Sequence, residues 1–272
     1  MRLVLSRLEA RDLDAIVPMM FDSFSKIELA NVFFGRRSPS SYAYTKKTLL
    51  NGMLNDPADV FLKIEDLDAV ATVNVLDEQG STISTETRAR IVCASNWKIF
   101  PTYVTPQEQQ DAAKGANRQP NSATAQLKEE AKTESAFSYL DTEEERADAA
   151  VLLEDFLTRR RRECKEGHVL CFLLFTDPEY QGKGCGRMMM QWGNDVADAL
   201  MLPCWIEASP EGELLYKQMG YQGRERVRIQ TKSFLSEYLH MRRPAMVGRV
   251  RLEGKKTLVR EPVGQKENGS TQ

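Results

Sequence analysis

Residues 172–187 read FLLFTDPEYQGKGCGR. Four apolar residues, Phe172 to Phe175, run into the stop Asp177-Pro178, and glycines then alternate at Gly182, Gly184 and Gly186. With the preceding HVLC the run has no polar face, as expected of a central strand buried on both sides. A glycine near a helix start costs roughly 0.5–1 kcal/mol of backbone entropy relative to alanine, so three together imply that the main chain itself must approach something. A helix beginning near Gly184 leaves the N–H groups of Gly182 to Arg187 unpaired at the positive end of its dipole. That arrangement suits phosphate or pyrophosphate.

Three nucleotide-binding patterns compete for the loop. A P-loop needs Lys-Ser/Thr after its last glycine, and here Arg187-Met188 follow Gly186. The dinucleotide fingerprint needs G-x-G-x-x-G, whereas these glycines run G-x-G-x-G, with no acidic residue about twenty positions on in the right register. The third pattern, Q/R-x-x-G-x-G/A, is met by QGKGCG at 181–186. Downstream, CWIEASPEGELLYKQMGY (204–221) supplies a short strand ending in Trp205-Ile206-Glu207, then Leu215-Tyr216 and Gly220-Tyr221. On these motifs the chain resembles the GNAT superfamily of acyl-CoA-dependent N-acyltransferases, its fungal-type branch in particular. The match is dense over 168–221, weak at Asp12 to Lys26 and Arg90 to Ile99, and absent elsewhere.

Composition bounds the rest. The 272 residues, 42% hydrophobic and 28% charged, are enough for a sizeable core. A net charge of -2 offers no general attraction to nucleic acid or anionic membrane. The opening MRLVLSRLEARDLD has too short an apolar run for a signal peptide, so a cytosolic or nuclear protein is expected. Five scattered cysteines fit reduced, buried thiols better than a disulfide framework. Cys164, His168 and Cys171 have zinc-like spacing, but no second ligand pair follows, and no metal is expected.

Apolar periodicity predicts helices at Asp12–Lys26, Ser40–Asn51, Glu143–Glu163, Lys183–Leu200 and 210–219. Strands are expected at the N-terminus, Val60–Ile64, Ala69–Leu76, Arg90–Ile99, 168–176, 203–208 and Tyr221–Ile229. The stripe Met189, Trp192, Val196 and Leu200 is assigned to core packing, and Ser209-Pro210 to the start of the short helix. The expected fold is α/β, a mixed, mostly antiparallel central sheet flanked by helices. One domain is expected over 1–244, interrupted at about 101–147 by a polar insertion too poor in large apolar residues to order itself, with a polar tail over 245–272. The run Arg159 to Arg162 reads as a solvated helix end, a patch for an acidic partner or import, or a phosphate contact. Residues Phe33, Phe34, Arg36, Arg37, Tyr42 and Tyr44 line an acceptor cleft or make an ordinary helix connection.

The resemblance implies acetyl-CoA as co-substrate and a primary amine, small-molecule or protein-borne, as acceptor. By the same resemblance, the backbone of Leu174, Phe175 and Thr176 would pair with the pantetheine arm, and Gln181, Gly182, Lys183, Gly184, Cys185, Gly186 and Arg187 would hold the pyrophosphate. Tyr216 occupies the position of the usual general acid and Glu207 a position used for the base. A phenol near pKa 10 is a weaker acid than a thiol near 8.5, so Tyr216 would act chiefly by hydrogen bonding. Many relatives carry Asn where this chain has Ser209-Pro210, which puts an Asn-type contact in doubt. A catalytically idle CoA-binding module and a protein-directed lysine or N-terminal acetyltransferase remain alternatives.

Overall fold

The computed structural model describes residues 1–77, 82–101, 137–253 and 257–262. Seven strands form one sheet in the order β1-β2-β3-β4-β5-β7-β6: β1 (Leu3–Arg7), β2 (Asp59–Leu76), β3 (Thr82–Phe100), β4 (His168–Thr176), β5 (Cys204–Ala208), β6 (Gln222–Gln230) and β7 (Leu235–Arg243). Every pairing is antiparallel except β4 with β5. The single parallel step follows from the chain path, because β4 and β5 are joined by a crossover helix, α5 (Cys185–Leu200).

Helices α1 (Leu13–Ser23), α2 (Glu28–Phe34), α3 (Pro39–Asn55), α4 (Glu143–Glu163) and α6 (Glu213–Gln218) complete the layers. Leu13, Ile16 and Met20 of α1, with Leu49 of α3, bury against Phe61, Ala94 and Phe175. Met189 and Met190 of α5 and Tyr216 of α6 pack in a second cluster with Cys93, Trp97, Cys171 and Ile206. There Gly193 lets the Trp97 ring close on the helix: a Cβ would lie 2.1 Å from it. The buried stripe of α5 is thus Met189, Met190, Gly193 and Ala197, whereas Leu200, assigned above to the core, is exposed.

The third cluster corrects the expected insertion. Phe137, Tyr139 and Leu140 are buried with Phe156 and Leu157 of α4, and the Tyr139 hydroxyl donates to the Val32 carbonyl at 2.8 Å. Residues 137–147 are therefore packed structure; the rest of that expectation, 102–136, lies outside the described residues. Helix α4 starts on a Thr142/Glu145 capping box, with Glu143 to Glu145 in its first turn and Arg160 to Arg162 in its last, the charge order its dipole favours. Of the expected polar tail, Met246–Glu253 (β8) and Thr257–Pro262 (β9) pair as a separate two-stranded sheet, and 263–272 lie outside the described residues.

Candidate functional site: an opening between β4 and β5

Strands β4 and β5 pair only through Val169, Leu170 and Cys171 against Cys204, Trp205 and Ile206. Beyond that they part. The register of β4 on β3 slips at the same place: Asn96 faces Leu173 and Trp97 faces Cys171, so Phe172 is an extra, bulged residue. Asp177 N–H donates to the Val92 carbonyl at 2.9 Å. Antiparallel pairs alternate in which residues bond across, so the main chain of Phe175 is directed at β3, and that of Leu174 and Thr176 at the opening. Of the three residues expected to offer backbone there, Phe175 does not. The Thr176 carbonyl already accepts from Ser23 Oγ at 2.9 Å, which leaves the polar groups of Leu174 and the Thr176 N–H.

At the mouth of this opening the glycine loop enters α5. Gly184 is the N-cap at φ 91°, without a side-chain cap, and Gly182 has φ 75°. Both conformations favour glycine, and a Cβ at either would meet nothing within 4 Å, so the space before the loop is open. Helix geometry leaves the N–H groups of Cys185, Gly186 and Arg187 without main-chain acceptors. Gly186 differs from its neighbours: a Cβ there would lie 2.9 Å from Leu215 Cδ2, so this glycine serves close packing of α6. The Cys185 side chain is buried in the core, Arg187 is bonded to Gln218 at 2.9 Å, and Lys183 lies over the Tyr180 ring at 4.5 Å. Gln181 reaches the Thr176 carbonyl at 3.4 Å. What the loop presents to that open space is main-chain N–H groups.

The opening widens into a cavity of about 130 Å³. Leu174, Glu207 and Tyr216 all line it, so the strand, the acid and the phenol singled out in the sequence meet in one place. Sequence reasoning missed the other walls, which come from Phe24, from Leu29 and Ala30 of α2, and from Phe156, Phe172, Glu237 and Tyr238. Phe33 and Phe34 do line it, whereas Arg36, Arg37, Tyr42 and Tyr44 do not.

Tyr216 is 7% exposed, and its hydroxyl makes no hydrogen bond to the described residues. Burial pushes its phenol well above the ordinary value, so it stays protonated and remains a donor. Glu207 is different. Arg160 donates to both its carboxylate oxygens, at 2.8 and 2.9 Å, and lies 4.6 Å over Phe156 and 5.3 Å over Phe172. Burial is the largest single effect and raises the Glu207 carboxyl, but the Arg160 charge, the Arg160 hydrogen bonds and smaller contributions from His240 and the backbone together hold the pKa below the usual carboxylate value. Arg159 and Arg162 pair with Glu225, and Arg161 with Glu154, so the arginine run is a neutralised helix end with one member turned inward.

His240 lies beside this pair, its Nε2 3.8 Å from Glu207, 1% exposed and with neither ring nitrogen bonded. Burial lowers its pKa, and that of His168, below the ordinary 6.5. Their unfolded forms bind protons first, so native stability is complete above about pH 6.5 and is lost as pH falls below it. Tm is expected to hold between pH 7.5 and about 6.5 and then to drop steadily to pH 5 in calorimetry, and His240→Phe to flatten that slope; a level Tm down to pH 5 would contradict this. Among the described residues no group of three His, Cys, Asp or Glu side chains is placed to hold a metal ion.

The backbone compares with known acetyltransferase structures. Histone acetyltransferase HPA2 and related acetyltransferase from Corynebacterium glutamicum matches with a TM-score of 0.51 at 14% identity, over 92% of this chain and 100% of the other. The mosquito arylalkylamine N-acetyltransferase like 5b matches at 0.53 and 12%, over 89% and 99%. The chain has the GNAT fold. A Drosophila melanogaster polyamine N-acetyltransferase shares it at a TM-score of 0.50 and 12% identity, over 88% and 97%. In sequence, 57 residues are 30% identical to an uncharacterized N-acetyltransferase of Schizosaccharomyces pombe, covering 21% of this chain and 24% of that relative's length. No protein-family model matches.

Proposed function

We propose that the chain is an acetyl-CoA-dependent N-acetyltransferase that acts on a primary amine. One observation carries the reading: a strand edge opens in the middle of the sheet, beside an uncapped helix start whose glycines leave free space in front. An interior edge of unpaired polar groups is costly unless something pairs with it. An extended amide chain ending in a pyrophosphate fits both halves at once. The neighbours' own names, arylalkylamine and polyamine N-acetyltransferase, support an amine acceptor.

Acetyl-CoA supplies the acetyl group as a thioester. The residues present divide the remaining work. Leu174 and the Thr176 N–H offer an edge along which an amide arm pairs, and the N–H groups of residues 184–187 offer donors to phosphates. The cavity holds the amine nitrogen near that edge, converting a bimolecular encounter into an oriented one. As nitrogen bonds to the carbonyl carbon and the carbon–sulfur bond breaks, the Tyr216 hydroxyl donates a hydrogen bond to the developing thiolate. The surplus amine proton leaves to water. With both oxygens on Arg160 and a lowered pKa, Glu207 is a poor proton acceptor, and we assign it to holding α4 against β5.

Tyr216→Phe keeps the ring and removes the donor. Turnover is expected to fall about 10- to 100-fold, below the 100- to 1000-fold typical of oxyanion-hole donors because water partly substitutes. Tm and CoA affinity should hardly change. The check is thiol release from acetyl-CoA, first in a screen of polyamines, arylalkylamines, amino sugars and lysine peptides. Full turnover in Tyr216→Phe would return that residue to packing, and CoA binding without amine-dependent release would make the chain a binding module.

A further inference from the structure

Charge and shape in the cavity go beyond "amine". Among the described residues, three charged side chains line it: Arg160, Glu207 and Glu237. The first two satisfy each other, and the buried pair leaves neither free. Glu237, on β7, is half-buried and forms no ion pair or hydrogen bond among the described residues. Among the described residues the cavity therefore offers one available negative charge. Apart from Ser209, Cys171 and the hydroxyls of Tyr216 and Tyr238, the remaining walls are aromatic and aliphatic, with Phe24, Phe33, Phe34 and Phe172 among them.

Resting on the acetyl-transfer reading, we infer that the acceptor is a small primary monoamine with a compact aromatic or apolar body, its ammonium received at Glu237 and losing one proton to water before the free amine attacks. A single ammonium matches the single free carboxylate and gains further from nearby ring faces. A second ammonium, as in a polyamine, would have no described carboxylate left to pair it and would meet the Arg160 charge, and ring faces alone do not offset the burial of an unpaired cation. Size agrees: about 130 Å³ is close to the roughly 150 Å³ apolar cavity that accepts one benzene ring in another protein. A peptide lysine would need room for its main chain against the same walls.

Initial rates of thiol release from acetyl-CoA with phenethylamine, spermidine and a lysine peptide test this on the full chain. Phenethylamine is expected to give kcat/KM at least about tenfold above the other two, the size of a modest charge or apolar discrimination. Glu237→Gln should raise the phenethylamine KM about tenfold with a smaller change in kcat, and Glu237→Asp should recover part of it. Inhibition by 2-phenylethanol, which has the ring but no charge, should stay within about twofold in Glu237→Gln, a split that general damage to the fold would not give. Faster release with spermidine or the peptide, or an unchanged KM in Glu237→Gln, overturns the inference and leaves acetyl transfer standing. No release with any amine overturns both.

Discussion

Gly184→Asp is expected to weaken coenzyme A binding by about 100- to 1000-fold in isothermal titration while the protein stays folded. Two unit charges 4 Å apart interact by roughly 4 kcal/mol at an effective dielectric near 20, and solvent at the loop trims that toward the lower figure. The Asp carboxylate would stand at the N-terminus of α5, where the free N–H groups of residues 185–187 otherwise face a phosphate. Folding tolerates the change because nothing lies within 4 Å of a Cβ there, and the cost of φ 91° for a non-glycine residue is of order 1–3 kcal/mol. Gly186→Asp is a poorer test, since its side chain would collide with Leu215 and disturb α6 whatever the loop binds. Unchanged affinity in Gly184→Asp would reduce the loop to a turn.

The other large effect is on stability. Arg160→Met leaves the Glu207 carboxylate buried without its partner, and breaking such a pair costs about 3–5 kcal/mol. At roughly 2–4 °C per kcal/mol for a domain of this size, Tm should fall by about 6–20 °C. Glu207→Gln alone should also lose stability, because it strands the guanidinium between Phe156 and Phe172. The double variant Arg160→Met/Glu207→Gln is expected to regain most of the loss, since no buried charge remains. Full additivity of the two single effects would show that the 2.8 Å contact carries no coupling.

What could be seen in advance was local. The apolar run into β4, the glycines with φ 75° and 91°, and the helix over Glu143–Glu163 each depend on neighbours a few residues away. Two expected strands proved to be one, β2, because the irregular step between Asp66 and Val70 bends it without ending it. Helix α2 went unread: it has seven residues and no side-chain cap. Strand β7 did too, since buried Ser236, Tyr238 and His240 alternate against the usual polarity. Arg160 and Glu207 are 47 residues apart, and nothing in a run of four arginines marks the one that turns inward. Glu237 reaches the cavity only through the pairing of β7 with β5. Residues 137–147 looked too polar to pack because their apolar partners sit on α2 and α4.

The central claim is that the opening between β4 and β5 receives the acyl-CoA arm, and amide hydrogen exchange reads it directly. With acetyl-CoA at saturating concentration, the N–H groups of Leu174 and Thr176, and those of residues 184–187, are expected to slow by at least about tenfold, as new hydrogen bonds cover them. The Phe175 amide, already directed at β3, should change little. Binding that protects none of the Leu174, Thr176 or loop amides would place the ligand elsewhere and contradict the account.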